Sequence, residues 1–305
     1  MNARVRVVSP PPSPPLPHKG GGSRPRIGLV LGGGGARGLA HIPVLEALDE
    51  IGIRPAVIAG SSVGATIGAA YACGMNGKDI RRHVIDLLHD RTDVLRRLVT
   101  ARAAGITELF SIGFGNPMVM DAERLVELFL PARVPAAFEQ LETRLVVMTT
   151  DLYGRSERVF SSGPLRPAIA ASMAIPGLIR PVEIGGRVLV DGSAVNPLPF
   201  APVRAAADVI LAVDTSVGPT APRGIPDPWD ALFSTIQVMG HTIVAEKLKQ
   251  GAPEIVIRPN VGTFRLLDFF KASAILRATD AVKPEVKAKL AQFMRPRDTA
   301  RKADQ

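Results

Sequence analysis

The hydrophobic positions of the N-terminal half alternate between short apolar runs and longer segments with helical spacing. Arg26–Leu31 and Pro55–Ala59 are apolar runs of strand length that lead into glycines. Leu39–Ile51 repeats its apolar residues at helical spacing, and Val63–Tyr71 has the composition of a small-residue helix. Strand, glycine loop, helix and strand in this order predict a βαβ unit, and therefore a parallel sheet covered by helices on both faces.

The segment from Lys78 to about Glu139 is predicted to be a mostly helical insertion or cap. Lys78–Leu98 and Asp121–Leu130 are amphipathic, and Gly105–Gly115 separates them. Beyond this segment the pattern predicts more strands, a hairpin that turns at Gly185-Gly186, and one long helix. These elements are Arg144–Met148, Glu183–Val190, Asp208–Val213, Glu254–Ile257 and the helix Trp229–Leu248.

We predict one domain with three parts. Residues 1–25 contain four basic residues, no acidic residue and six prolines between Pro10 and Pro17. This composition lacks the apolar core of a signal peptide and is typical of a disordered tail, with a partner-docking role left open. Residues 26–215 form the main domain with its helical cap at about 78–139. Residues 216–305 are expected to pack on the same domain.

Composition and charge narrow the classes of partner. Hydrophobic residues are 46% of the chain, enough for a sizeable core, and Cys73 is the one cysteine, which excludes an intramolecular disulfide. A net charge of +9 favours anionic surfaces. Because no zinc-finger spacing or RNA-binding aromatic cluster accompanies the charge, we expect no nucleic-acid partner. We expect a cytoplasmic protein, with contact to the inner membrane and the oligomeric state left open.

Two glycine motifs carry candidate chemistry. Gly33, Gly35 and Gly38 match a dinucleotide fingerprint, but the second strand ends without the acidic residue that would bind the ribose. The alternative is an oxyanion hole formed by bare N–H groups. Gly60-Ser61-Ser62-Val63-Gly64 is a nucleophile elbow, with Ser62 at its centre. We expect the N–H of Val63 to join those of Gly33, Gly34 and Gly35 around the oxyanion.

The base for this serine is less evident. His18 lies in the tail, His83 and His89 lie in the charged helix, and His41 has the pattern of a packing residue. His241 follows the serine and aspartate in the order of an α/β-hydrolase triad, but lies in the middle of a predicted helix. Asp191-Gly192-Ser193 follows an apolar run, so the aspartate is predicted at a strand end, where an ordinary Asp-Gly turn is the alternative.

Four motifs in order resemble the patatin-like phospholipases, particularly their bacterial branch. The resemblance extends over about Arg26–Thr215, and its motifs are Gly33–Gly38, Gly60–Gly64, Ala171–Pro176 and Asp191-Gly192. It implies a three-layer α/β/α sandwich with a mainly parallel sheet, Ser62 as nucleophile and Asp191 as proton acceptor. It also implies no metal or cofactor, and supporting roles for the motif residues Arg37, Gly38, Gly60, Gly64 and Gly192. Ser193 departs from the family, which usually has glycine or alanine there.

The function implied by this resemblance is hydrolysis of lipid acyl esters through an acyl-enzyme. Two alternatives stay open. One is an acyltransferase that passes the same acyl group to an alcohol. The other is a regulatory lipid-binding protein with little turnover.

Overall fold

The computed structural model describes residues 24–89, 92, 94, 96, 120–216 and 224–294. Nearly all of the predicted tail and the whole of Gly105–Gly115 lie outside the described residues. The end of the predicted helix Lys78–Leu98 does so too, apart from three single positions. The described residues therefore cover the main domain, both ends of the predicted cap and most of the C-terminal part.

A mixed sheet forms the centre of the described structure. Its strands follow the order β5-β6-β3-β2-β1-β7-β8, and β4 pairs with β3. The neighbours from β3 across to β8 are parallel, whereas β4, β5 and β6 add antiparallel pairs on one side. The strands are β1 Ile27–Leu31, β2 Val57–Ser61, β3 Arg144–Asp151, β4 Ser156–Phe160, β5 Val182–Ile184, β6 Arg187–Asp191, β7 Val209–Val213 and β8 Ile255–Ile257.

Helices cover both faces of the sheet, which confirms the three-layer α/β/α arrangement. Leu29 and Leu31 of β1 pack into the larger apolar cluster, and Val30 faces a second cluster with Val203 and Val244. Alternate residues of one strand thus enter two cores, which explains why the strand is apolar throughout. The helices are α1 His41–Glu50, α2 Val63–Ala72, α3 Gly77–His89, α4 Ala122–Phe129, α5 Leu165–Ser172, α6 Pro228–Gly251, α7 Ala272–Thr279 and α8 Val282–Met294.

The hairpin and the helix at Asp121–Leu130 are confirmed. Gly185 and Gly186 both have positive φ, as the two-residue turn between β5 and β6 requires. The side chain of Asp121 accepts hydrogen bonds from two N–H groups in the first turn of α4. The periodic pattern did not predict β4 or α5. Strand β4 is exposed at alternate positions and lacks an apolar face, so its signal is weak.

The C-terminal residues join the same sheet and the same helical layer. Strand β8 pairs in parallel with β7. In the helical layer, buried Glu46 of α1 accepts hydrogen bonds from Arg81 of α3 and forms an ion pair with Lys283 of α8. Arg81 also binds Asp280 at 2.5 Å. Charged side chains thus connect α1, α3 and the C-terminal helices. In the described part of the chain, no helix has the length and apolar character needed to cross a membrane.

Candidate active site

Ser62 occupies a strained turn between β2 and α2. Its φ of 55° and ψ of −128° lie in a region that residues with side chains rarely adopt. The turn brings α2 so close to β1 that a Cβ on Gly64 would collide with the carbonyl of Leu31. The N–H of Ser62 donates to Ser172 Oγ at 2.8 Å, and Ser172 Oγ donates to the carbonyl of Met148 at 2.7 Å.

Asp191 lies within direct hydrogen-bond distance of this serine. Ser62 Oγ donates to Asp191 Oδ2 at 2.7 Å, and the N–H of Ser193 donates to Oδ1 at 2.7 Å. The register explains the contact, because Ser61 pairs with Met148 and the next residue of β3, Thr149, pairs with Asp191. Two residues that are 129 positions apart therefore reach the same level of the sheet.

The environment of Asp191 makes its carboxylate a stronger base than an exposed one. Asp191 is 5% exposed, and burial raises its pKa above the usual range. The hydrogen bonds from Ser62 and Ser193 oppose this effect by stabilising the charged form. The second oxygen is held by the Ser193 N–H, so Oδ2 is the oxygen directed at the serine.

The glycine loop after β1 lies beside Ser62. Gly35 has φ of +56°, and a Cβ there would collide with the carbonyl of Leu266, so only glycine fits. Thr215 fixes the loop because its hydroxyl donates a hydrogen bond to the carbonyl of Gly33 at 3.0 Å. The loop is thereby fixed from β7 on one side and from the segment before α7 on the other.

The amides of this loop are not equivalent. The N–H of Gly33 donates to the carbonyl of Pro197 at 2.9 Å, so it departs from the expected oxyanion role. The N–H groups of Gly34, Gly35 and Val63 donate to no acceptor in the described part of the chain. They adjoin the space in front of Ser62 and remain the candidate oxyanion donors.

The other motif residues support this arrangement. Arg37 is 1% exposed, and burial lowers its pKa to about 10 while the charge of Asp214 opposes that effect. Gly38 packs against the side chain of Val63, and Gly60 is in β2, directly against α2. Gly192 begins the turn after β6, where a Cβ would collide with the carbonyl of Met148. Their contribution is close packing of main chain around the site.

None of the four histidines among the described residues is a partner of Ser62. His41 is fully buried, burial lowers its pKa to about 4, and its Nε2 lies 2.7 Å from the carbonyl of Gly32. His83 contacts the carbonyl of Phe129 at 3.1 Å, and His89 is exposed. His241 is exposed on α6 and lines neither of the two cavities at Ser62. Asp191 occupies the place where a triad histidine would be needed.

Two cavities meet at Ser62. The first, of about 160 Å³, is lined by Asp191, Ser193 and residues of α6. The second, of about 250 Å³, extends between α2, α3 and α4 and is almost entirely apolar. Leu267, Phe269 and Phe270, which precede α7, border the second cavity. Phe269 and Phe270 are partly buried against the neighbouring core, whereas Leu267 is 41% exposed.

Among the described residues, no group of three or more His, Cys, Asp and Glu side chains is placed to hold a metal ion.

The model of the family described as patatin-like phospholipase matches residues 29–204, more than half of the chain. The chain belongs to the patatin-like phospholipase family. This confirms the resemblance seen in the sequence motifs.

Three patatin-like or NTE family relatives illustrate the range of the similarity. An uncharacterized NTE family protein of Mycobacterium bovis is 39% identical over 219 residues, which are 71% of this chain and 56% of that protein. Lysophospholipase nte1 of Emericella nidulans is 30% identical over 214 residues, 69% of this chain and 13% of that protein. Patatin-like phospholipase domain-containing protein 7 of Rattus norvegicus is 28% identical over 278 residues, which are 82% of this chain and 20% of that protein. The chain thus spans about half the length of the mycobacterial relative.

Sequence reasoning missed several residues of this patatin-like site. Ser172 accepts a hydrogen bond from the N–H of Ser62, and Thr215 donates one to the carbonyl of Gly33. The charge of Asp214 acts on Arg37. The Ala171–Pro176 motif marked the neighbourhood of Ser172. Thr215 and Asp214 follow directly after β7 in the chain. Their position at the carboxyl end of a predicted parallel strand was the signal that could have indicated them.

Proposed function

We propose that the protein hydrolyses acyl esters of lipids with a Ser62–Asp191 dyad. The observation that carries this proposal is the hydrogen bond of 2.7 Å from Ser62 Oγ to a buried carboxylate, beside three N–H groups that have no acceptor among the described residues. A nucleophile, a base and oxyanion donors in mutual reach are the parts that acyl transfer requires.

Acylation would begin as Ser62 Oγ attacks the ester carbonyl carbon and its proton moves to Asp191 Oδ2. The carbonyl oxygen gains negative charge and is stabilised by the N–H groups of Gly34, Gly35 and Val63. The bond to the alcohol oxygen then breaks, and Asp191 gives its proton to that oxygen. In deacylation, water attacks the acyl-enzyme, Asp191 accepts a proton from the water, and Ser62 Oγ recovers a proton as it leaves.

The surroundings compensate for a weak base. An exposed carboxylate, with a pKa of about 4, removes a serine proton poorly. Here burial raises the pKa of Asp191, and the N-terminus of α2 stabilises the charge that develops beside Ser62. Each oxyanion donor typically contributes about 3 kcal/mol to the transition state, so the glycine loop is as important as the base.

Labelling with a fluorophosphonate followed by peptide mapping tests the nucleophile. We expect the label on Ser62 in the wild type, none on Ser62→Ala, and an unchanged label on Ser61→Ala, which removes the neighbouring buried hydroxyl. Hydrolysis of long-chain esters should disappear with Ser62→Ala. A label elsewhere in the chain, or a folded wild type inert toward every ester, would contradict the proposal. Transfer to an added alcohol in place of water would identify the acyltransferase alternative.

Contact with an anionic membrane surface and a cytoplasmic location remain predictions. The net charge of +9 supports the first, as do the exposed side chains of Trp229, Leu232 and Met239 on α6. Cosedimentation with vesicles of anionic or zwitterionic lipid measures this contact, and equal binding to both would remove the argument from charge.

A further inference from the structure

The two cavities at Ser62 differ in chemistry. Both linings are mostly apolar, but the cavity of about 160 Å³ also includes the charged or polar side chains of Arg37, Ser62, Asp191, Ser193, Ser216 and Gln237. Among the described residues that line the cavity of about 250 Å³, the polar side chains are Ser62 and Thr66. The hydroxyl of Thr66 is already directed at Met173 Sδ, 3.0 Å away. The larger cavity thus offers almost no hydrogen bonds to a ligand.

Proton transfer distinguishes the two cavities further. The alcohol oxygen of the substrate must approach Asp191 Oδ2, because it receives the proton that left Ser62. Asp191 lines the smaller cavity and is absent from the lining of the larger one. The water of deacylation needs the same carboxylate, so it must arrive from the same side.

We propose that the 250 Å³ cavity between α2, α3 and α4 binds the acyl chain, and that the 160 Å³ cavity beside α6 binds the departing alcohol and then the attacking water. This assignment rests on the proposed acyl-enzyme at Ser62. It places the acyl chain against Val84, Leu125, Phe129 and Phe270. The alcohol faces Gln237 and Met239, on the side that also holds Arg37.

The size of the larger cavity sets an expected chain length. An apolar cavity of about 150 Å³ in a protein core accommodates benzene, so about 250 Å³ accommodates roughly ten carbons on the same scale. We therefore expect rates to rise with acyl length up to about decanoate and then to level off or fall.

The test uses the full chain and two substrate series. One series varies the acyl group from butanoate to hexadecanoate on a fixed alcohol, and the other varies the alcohol on a fixed decanoate. Val84→Phe narrows the acyl cavity, and we expect it to lower the ratio of kcat/KM for decanoate over butanoate by about tenfold. Phe270→Ala enlarges the cavity and should shift the optimum to longer chains. The two substitutions are expected to shift the preferred acyl length in opposite directions, and a nonspecific loss of folding or activity would not produce both shifts.

Met239→Phe is the matched variant in the other cavity. Its side chain is 58% exposed, so a larger residue can be accommodated. We expect it to alter the dependence on the alcohol and to leave the acyl-length profile as in the wild type. Thermal unfolding checks that each variant is folded.

The outcomes separate this inference from the proposed function. Ester hydrolysis that is lost in Ser62→Ala, together with unchanged acyl-length profiles in both Val84→Phe and Phe270→Ala, would overturn the cavity assignment and leave the dyad standing. A shift of the acyl profile by Met239→Phe would reverse the assignment. A wild type without esterase activity or label at Ser62 would remove the proposed function and, with it, the basis of the assignment.

Discussion

Ser172 holds the main chain of Ser62 at the point where the backbone is strained. Its Oγ accepts a hydrogen bond from the Ser62 N–H and donates one to the carbonyl of Met148, so a single buried hydroxyl joins α5, β3 and the elbow. The bond fixes the direction in which the serine side chain leaves the turn. Because the Ser62 N–H is occupied, the N–H of Val63 is the elbow amide that can join those of Gly34 and Gly35 at the oxyanion.

Ser172→Ala should therefore lower kcat more than it raises KM. Losing the acceptor for a buried N–H costs about 1–3 kcal/mol, and we expect kcat to fall by about ten- to a hundredfold as the elbow loses its fixed geometry. Thr279→Val is the matched control, because it removes another buried hydroxyl, bonded to the carbonyl of Ile275, that does not line either cavity. Equal kinetic losses in the two variants would contradict a positioning role for Ser172.

Asp191→Asn should abolish most activity and stabilise the fold. Loss of a general base typically costs about a hundred- to ten-thousandfold in rate. Burial raises the pKa of Asp191, which means that the folded protein holds its ionised form at a cost. A neutral amide removes that cost, so the free energy of unfolding at pH 7 should increase. Esterase rates and urea denaturation measure the two effects. His241→Ala, on the exposed side of α6, should retain most of the activity.

The pH at which kcat/KM falls on the acid side (the acid limb of the rate profile) should depend on Ser193. The reaction needs ionised Asp191, so kcat/KM falls as the pH drops through the pKa of that group, which burial holds above the usual range for aspartate. The hydroxyl of Ser193 stabilises the carboxylate and lowers this pKa in part. Ser193→Ala should move the acid limb to higher pH while its N–H still binds Oδ1. An unmoved limb, measured with a neutral ester, would show that Ser193 does not act on Asp191.

His41 should make the fold sensitive to mild acid. Burial lowers its pKa to about 4, and its Nδ1 has no hydrogen-bond partner among the described residues, so a second proton would be unfavourable. The unfolded chain binds that proton near pH 6.5. Stability is therefore complete above pH 6.5 and falls between 6.5 and 4, by about 3 kcal/mol for a shift of this size.

Urea denaturation between pH 7 and pH 4 measures the contribution of His41. His41→Gln keeps an N–H donor for the carbonyl of Gly32 and should flatten the dependence on pH. His241→Gln, at an exposed position, should leave the slope unchanged. Identical slopes in wild type and His41→Gln would exclude His41 as the source.

Glu46 should be important for attaching the C-terminal helices. It is 3% exposed, and although burial raises its pKa, the hydrogen bonds and charges of Arg81 and Lys283 lower it more. Glu46→Gln removes the buried carboxylate that Arg81 and Lys283 share, which leaves them the more exposed Asp280 and Glu50, and should cost about 3 kcal/mol in unfolding free energy. Glu246→Gln, in an exposed pair with Lys249, should change stability by less than about 1 kcal/mol. Similar values for the two variants would contradict the prediction.

The sequence allowed the local parts of the site to be predicted. A strand followed by Gly33–Gly38 and another followed by Ser62 are short motifs, and neighbouring main-chain or side-chain atoms leave little room for a Cβ at their glycines. The parallel strands could also be predicted, since strands buried on both faces are apolar throughout. Strand β4 and helix α5 could not, because their patterns are short and partly polar.

The sequence by itself therefore indicated the elbow, the glycine loop and the parallel part of the sheet, because short motifs and apolar runs mark them. Contacts with distant residues such as Ser172 and Thr215 complete their geometry. The family resemblance had already implied Asp191 as the proton acceptor, and the structure places its carboxylate against Ser62 Oγ. Only the tertiary structure decided that the Gly33 amide is bound to Pro197 and that two unlike cavities meet at the serine. These features depend on strand register and on packing between segments more than a hundred residues apart, and no local pattern encodes such distances.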